Sequence, residues 1–284
     1  MRVTLLKITL FLLLEVARMY NLIQADLFKI RKSISIKILV AITTVSSVTM
    51  AVMAYLIPQG KLAASMGGIG FMLSDMSMIS LLGAVLAGVL ICGDFDNKTI
   101  HDAIANGCSR GAVIVSKAIS FCCALAFIIL PYSIVTGIAL STGSKFSMGS
   151  TPVAGFLNIL TKDGGTAFSS GIILKLLAVM LTLVIVDLAQ LSVCVLLSFV
   201  LKKPVLVVAI YYGLSFLSGQ LAGLRGSSNL FDTIYACTPF GGNYFLTTLN
   251  TGTGDLFKAI SASLIFILVI LAITYGAFRK SEIK

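Results

Sequence analysis

LAVMLTLVIVDLAQLSVCVLLSF, residues 177–199, holds 23 residues and a single charged side chain, Asp187. A run that long and that apolar suffices to cross the roughly 30 Å hydrocarbon core of a bilayer as a helix. It decides the fold class. Soluble domains carry roughly 25% charged residues, whereas this 284-residue chain carries 11%, is 58% hydrophobic and has no tryptophan. Its mean hydropathy is +1.04.

Working outward from this run, five others are long enough to span. The expected spans are 36–57, 70–92, 112–140, 171–201, 205–224 and 259–278. The reading is an all-α polytopic membrane protein of one domain, residues 1–284, with residues 1–35 as an N-terminal segment. Six spans put both termini on one side.

Lys and Arg choose the side, because basic connections stay cytoplasmic. The N-terminal segment and first flank (Arg2, Lys7, Arg18, Lys29, Arg31, Lys32, Lys37), the second connection (Lys98, Arg110, Lys117), the fourth (Lys202, Lys203) and the tail (Arg279, Lys280, Lys284) hold fifteen of twenty-one. Lys61, Lys145, Lys162, Lys175, Arg225 and Lys258 fall to the other side. Both termini are therefore expected to be cytoplasmic, in a bacterial cell membrane. The same asymmetry accounts for the net charge of +10 through contact with anionic lipid, so a nucleic-acid partner is not needed.

The N-terminal segment divides at Met19. From there Leu22, Ile23, Leu27 and Ile30 recur at helical spacing before Lys29, Arg31 and Lys32, as in an amphipathic helix lying in the inner interface. Leu14-Glu15-Val16 can be encoded by codons containing a purine-rich ribosome-binding sequence, which makes Met19 a candidate start. Before the last span, NLFDTIYACTPFGGNYFLTTLN is too apolar for an ordinary loop, yet Pro239, Gly241 and Gly242 interrupt it. Short helices dipping into the outer leaflet satisfy both facts, as does a loop folded over the span tops. The connection 141–170, rich in Gly, Ser and Thr, reads as a longer outer loop.

Chemistry-bearing patterns are sparse. Gly60-Lys61 is the one Gly-Lys dipeptide, and with Tyr55 and Leu62 around it no phosphate-cradling loop can form. The six cysteines include no C-x-x-C and there is one histidine, so zinc is not expected. His101 lacks a nucleophile elbow, and Asp94-x-Asp96 lacks the second acidic motif that magnesium diphosphate chemistry requires. No catalytic constellation, metal or cofactor is expected on this chain. Inside the membrane, Asp187 and Gln190 at i+3 share a helix face, either as a polar point on a translocation path or subunit interface, or as a hydrogen bond between packed spans. Gly70, Gly83 and Gly88 read as close-approach positions.

GDFDNKTIHDAIANGCSRGAVIVSK, residues 93–117, is the polar exception between two spans. Asp96 or Asn97 can cap a short helix, with Ile100, Ala103 and Ile104 on one face and Asn106-Gly107 as terminator; Ser109 can cap the next span. Its apolar face could meet a partner protein or rest on lipid headgroups.

The stretch resembles the signature region of permease subunits of type-2 ATP-binding-cassette (ABC-2) exporters. Asp94, Phe95, Thr99, Ile100, Gly107, Ser109, Arg110, Ser116 and Lys117 occupy the positions of that pattern, and Lys98 stands where the family has a small residue. The six-span layout, the amphipathic lead-in and the Pro-interrupted outer segment resemble the same family, so the similarity covers residues 19–280. The resemblance implies that residues 94–107, with Ile104 among them, form a coupling helix seated on a separate ATPase subunit. It implies that ATP and Mg belong to that subunit, and that a second permease chain, the same or different, completes a translocation path. A self-sufficient secondary transporter or channel is the alternative, and an intramembrane enzyme a third.

Overall fold

The computed structural model describes the backbone of residues 2–165, 170–222, 228–241 and 243–280, and the side chains of 15–165, 171–221, 228–241 and 244–280. Leu224, Arg225, Gly242 and Lys284, used in the sequence reading, lie outside the described residues. The protein is 82% helix, with no strand among the described residues.

Helices α1 (Arg2–Lys32) and α2 (Ile34–Leu56) meet at Ser33, whose extended backbone (φ −65°, ψ 125°) breaks the helix. A short 3-10 turn, Ala64–Met66, precedes α3 (Gly67–Met72) and α4 (Asp75–Ala87). A wide π turn, Gly88–Cys92, leads to α5 (Gly93–Asp96) and α6 (Thr99–Ala105). Then come α7 (Arg110–Ser141), α8 (Gly155–Asp163), α9 (Ser170–Leu201), α10 (Pro204–Ala222), α11 (Asn229–Ala236), a 3-10 turn at Asn243–Leu246, and α12 (Thr253–Lys280).

Among the described residues, six helical stretches are long and apolar enough to cross a membrane: Ile34–Leu56, Ala64–Asp96, Arg110–Ser141, Gly171–Leu201, Pro204–Leu221 and Thr253–Lys280. They correspond one to one with the six expected runs. α7 is the hub, packed against α1, α2, α4, α9 and α12. One end of the bundle gathers the end of α5, the starts of α7 and α10 and the ends of α9 and α12, as the contacts of Phe95 with Phe199 and Phe278 and of Gly88 with Pro204 require. This is the basic end.

Three features differ from the sequence reading. The N-terminal helix does not begin at Met19 but runs unbroken from Arg2. The second span is interrupted at Leu73-Ser74, inside a run that reads as continuously apolar. The connection 141–170 is no simple solvated loop, because Phe156, Leu157, Ile159 and Leu160 of α8 are fully buried.

The glycines of the second span do serve close approach. A methyl on Gly83 would meet the Leu191 side chain at 2.6 Å, and one on Gly88 would meet Pro204 at 3.0 Å. The first methyl would push aside the tip of the Leu191 side chain of α9, and the second would crowd Pro204 at the start of α10.

Candidate functional site

The polar connection between the second and third spans is built by three local devices. Lys98, not Asp96 or Asn97, stands at the start of α6, in the left-handed region (φ 59°) and with no side-chain cap. The left-handed residue turns the chain sharply from α5 into α6, and the Thr99 hydroxyl secures the corner by donating to Asp94 O at 3.2 Å. α6 then ends in a Schellman motif. Cys108 N donates to Ala103 O at 3.1 Å, Gly107 N donates to Ile104 O at 3.0 Å, and Gly107 takes φ 84°. Ser109 accepts from Ala112 N at 3.2 Å, capping α7 as the sequence suggests, a contact worth about 1 kcal/mol.

α6 turns its apolar face inward. Ile100 is 1% exposed and belongs to the core, while Ala103 and Ile104 are half-buried against it. The side presented to the surroundings is polar: Asp96, Asn97, Thr99, Asp102 and Asn106 are exposed. Phe95 anchors the corner from within. Its ring lies edge-on to Phe199 at 5.6 Å and to Phe278 at 6.1 Å, joining the ends of the second, fourth and sixth spans. Such aromatic pairs contribute about 0.5–1.5 kcal/mol each beyond area burial. Arg110 donates to the carbonyls of Phe278 and Arg279 at 2.8 Å, satisfying the open C-terminal end of α12 with a cation.

Asp94 is 2% exposed, and a buried carboxylate must be paired. Lys117 donates to it at 2.5 Å and to Asp26 of α1 at 2.6 Å, while Lys29 of α1 takes the other Asp94 oxygen. Two acids and two lysines thus tie α1, α5 and α7 together. Arg18 adds a bond to Gly107 O at 2.6 Å, and Glu15 accepts from the Ser109 hydroxyl at 2.7 Å. Asp26 escaped the sequence reading, and Lys29 entered it only as a basic flank, not as a partner of Asp94. The available signal was their i,i+3 spacing on the face that carries Leu22 and Ile30.

The opposite end is organised around a different acid, also missed. Asp75, fully buried at the start of α4, accepts from Phe156 N of α8 at 3.0 Å. The Leu73 carbonyl, freed by the break in the span, accepts from the Tyr132 hydroxyl at 2.7 Å. Asp163, at the far end of α8, accepts from Leu249 N at 2.8 Å, and burial pushes its carboxyl above the ordinary range.

Asp187 and Gln190 are both buried, at 4% and 6%. They do not bond to each other. Gln190 donates to Pro239 O at 3.0 Å, and Phe240 packs edge-on to Phe266 in the interior of α12 at 6.2 Å. The Pro-interrupted segment therefore reaches down the bundle, to a residue about 11 positions, or roughly 16 Å of helix, from the basic end of α9. Asp187 Oδ2 is buried with no hydrogen-bond partner among the described residues. Among the described residues, no cluster of His, Cys, Asp and Glu could hold a metal ion.

Comparison with models of protein families gives no match, and comparison with curated proteins gives none either. What the fold defines is a class: an all-helical chain with, among the described residues, six helices long and apolar enough to cross a membrane, hence a multi-pass membrane protein.

Proposed function

We propose that the chain is the membrane-spanning subunit of an ATP-driven ABC-2 exporter, coupled through residues 94–107 to a separate ATPase that binds ATP and Mg. A second permease chain would complete the path, and both termini would be cytoplasmic. α1 would lie in the inner interface, and α11 with the 3-10 turn would dip into the outer leaflet.

The observation that carries this reading is the mounting of α5 and α6. A short polar element is fixed at both ends to spans, through Phe95 on one side and the Ser109 cap on the other, and latched to α1 by Lys29. A push on α6 cannot be absorbed locally, so it reaches the second, third and sixth spans and α1. Because Ile100 faces inward, the docking surface is the polar side, with Asp102 and Asn106, rather than the isoleucines.

Co-purification from native membranes in mild detergent, followed by mass spectrometry, tests the proposal. A stoichiometric P-loop ATPase should accompany the wild-type chain and be lost from Asp102→Arg/Asn106→Arg while membrane insertion persists. Retention of the ATPase by that variant would sink the coupling role.

One observation favours the alternative. Asp187 is buried inside the bundle and its Oδ2 has no hydrogen-bond partner among the described residues, as suits a protonatable or ion-binding group of a self-sufficient transporter. Solute movement by the purified chain alone, without ATP and abolished in Asp187→Asn, would establish that reading instead.

A further inference from the structure

The elbow between α1 and α2 carries an apolar groove of about 520 Å³, floored by Leu27, Ile30, Ile36, Val40 and Phe127 and edged by Arg31 and Lys37. We propose that this groove binds one anionic phospholipid of the leaflet at the basic end, with acyl chain on the floor and phosphate between the two cations.

The electrostatics at this point are one-sided. Lys29 and Lys117 are consumed by Asp94 and Asp26, whereas no carboxylate among the described residues pairs with Arg31 or Lys37.

The floor is unsuited to water. Phe127 is 56% exposed and Leu27 37%, beside the buried Ile30 and Ile36. On a helix that crosses the membrane, apolar surface next to two uncompensated cations fits a lipid, with its chain and charged head, better than a soluble anion.

The site also has a place in the fold. Arg31 lies two residues beyond Lys29, the residue through which α1 grips Asp94. A lipid held at the elbow would therefore bear on the same helix that latches the α5–α6 corner. The proposal does not depend on an ATPase partner.

Native mass spectrometry of the purified full-length chain, titrated with dioleoyl phosphatidylglycerol or dioleoyl phosphatidylcholine, tests it. The wild-type chain should retain one phosphatidylglycerol in preference to phosphatidylcholine. Arg31→Gln/Lys37→Gln should weaken that retention by roughly 30-fold, since each cation near an anionic lipid contributes about a factor of five. Lys32→Gln/Lys203→Gln, which removes two cations that do not line the groove, should leave retention within a few-fold of wild type. Equal loss in both double variants would reduce the effect to bulk charge and overturn the site. Displacement of the lipid by millimolar inorganic phosphate would overturn it too, by showing an anion site indifferent to the acyl chain.

Discussion

The two ends of the bundle each bury an aspartate, and they partner it by opposite means. At the basic end Asp94 is held by Lys117 and Lys29, cations delivered by two other helices. At the far end Asp75 is met by the backbone N–H of Phe156, with no ion pair among the described residues. Lysine has a long stem that can carry its charge in from an aqueous rim, so side-chain pairing is available near the surface. Deeper in, a broken helix and the start of another supply the partner instead. The first solution is a latch between helices that charge can open, and the second is a plug fixed by backbone geometry.

The largest expected effect falls on the latch. Lys117→Met leaves Asp26 and Asp94 facing each other without their shared cation, which should cost about 3–5 kcal/mol, read as a drop in thermal unfolding temperature in detergent. Adding Asp94→Asn should recover much of the loss, and Lys29→Ala should cost far less, because Lys29 is 42% exposed. If Lys117→Met and Lys29→Ala prove equally mild, the network does not hold α1. Next comes the plug: Asp75→Ala strands the Phe156 N–H and should cost about 1–3 kcal/mol, whereas Asp75→Asn keeps an acceptor and should cost less. Reversal of that order would mean that charge, not acceptor geometry, matters at this end.

Arg110→Met should cost about 1 kcal/mol by releasing the end of α12, and should raise amide exchange locally around Phe278 and Arg279 without loosening α8. The smallest effect has the opposite sign. Lys98→Gly should stabilise the chain by up to about 1 kcal/mol, because glycine adopts the left-handed corner without strain. A destabilised Lys98→Gly would place the cost in the unfolded chain rather than in the turn.

Much of the fold was legible because membrane spans declare themselves by composition and length, and helix ends by single residues. Gly107 and Ser109 were read correctly for that reason, since each acts on its own neighbours. The corner at Lys98 is also a local feature, a positive φ. What could not be read was which distant groups a polar residue meets. Asp75 sits in an apolar run and was passed over, and nothing in its neighbourhood announces a partner 81 residues away. The inward turn of Ile100 was hidden similarly: spacing gives the apolar face of α6 but not the direction in which it points. Gln190 shared a face with Asp187 as expected, yet its bond runs to Pro239, a partner that periodicity cannot supply.

The separations of these partners along the chain set a timetable for biogenesis. Asp94 finds Lys117 only 23 residues later, whereas Asp75 waits 81 residues for Phe156, and Gln190 waits 49 for Pro239. At roughly 5–20 residues per second of synthesis, the first interval passes in seconds and the second lasts several times longer. During that wait the second and third spans stand in or beside the insertion machinery with Asp75 uncovered. On this timetable Asp75 keeps no backbone partner from α8 until Phe156 has been made.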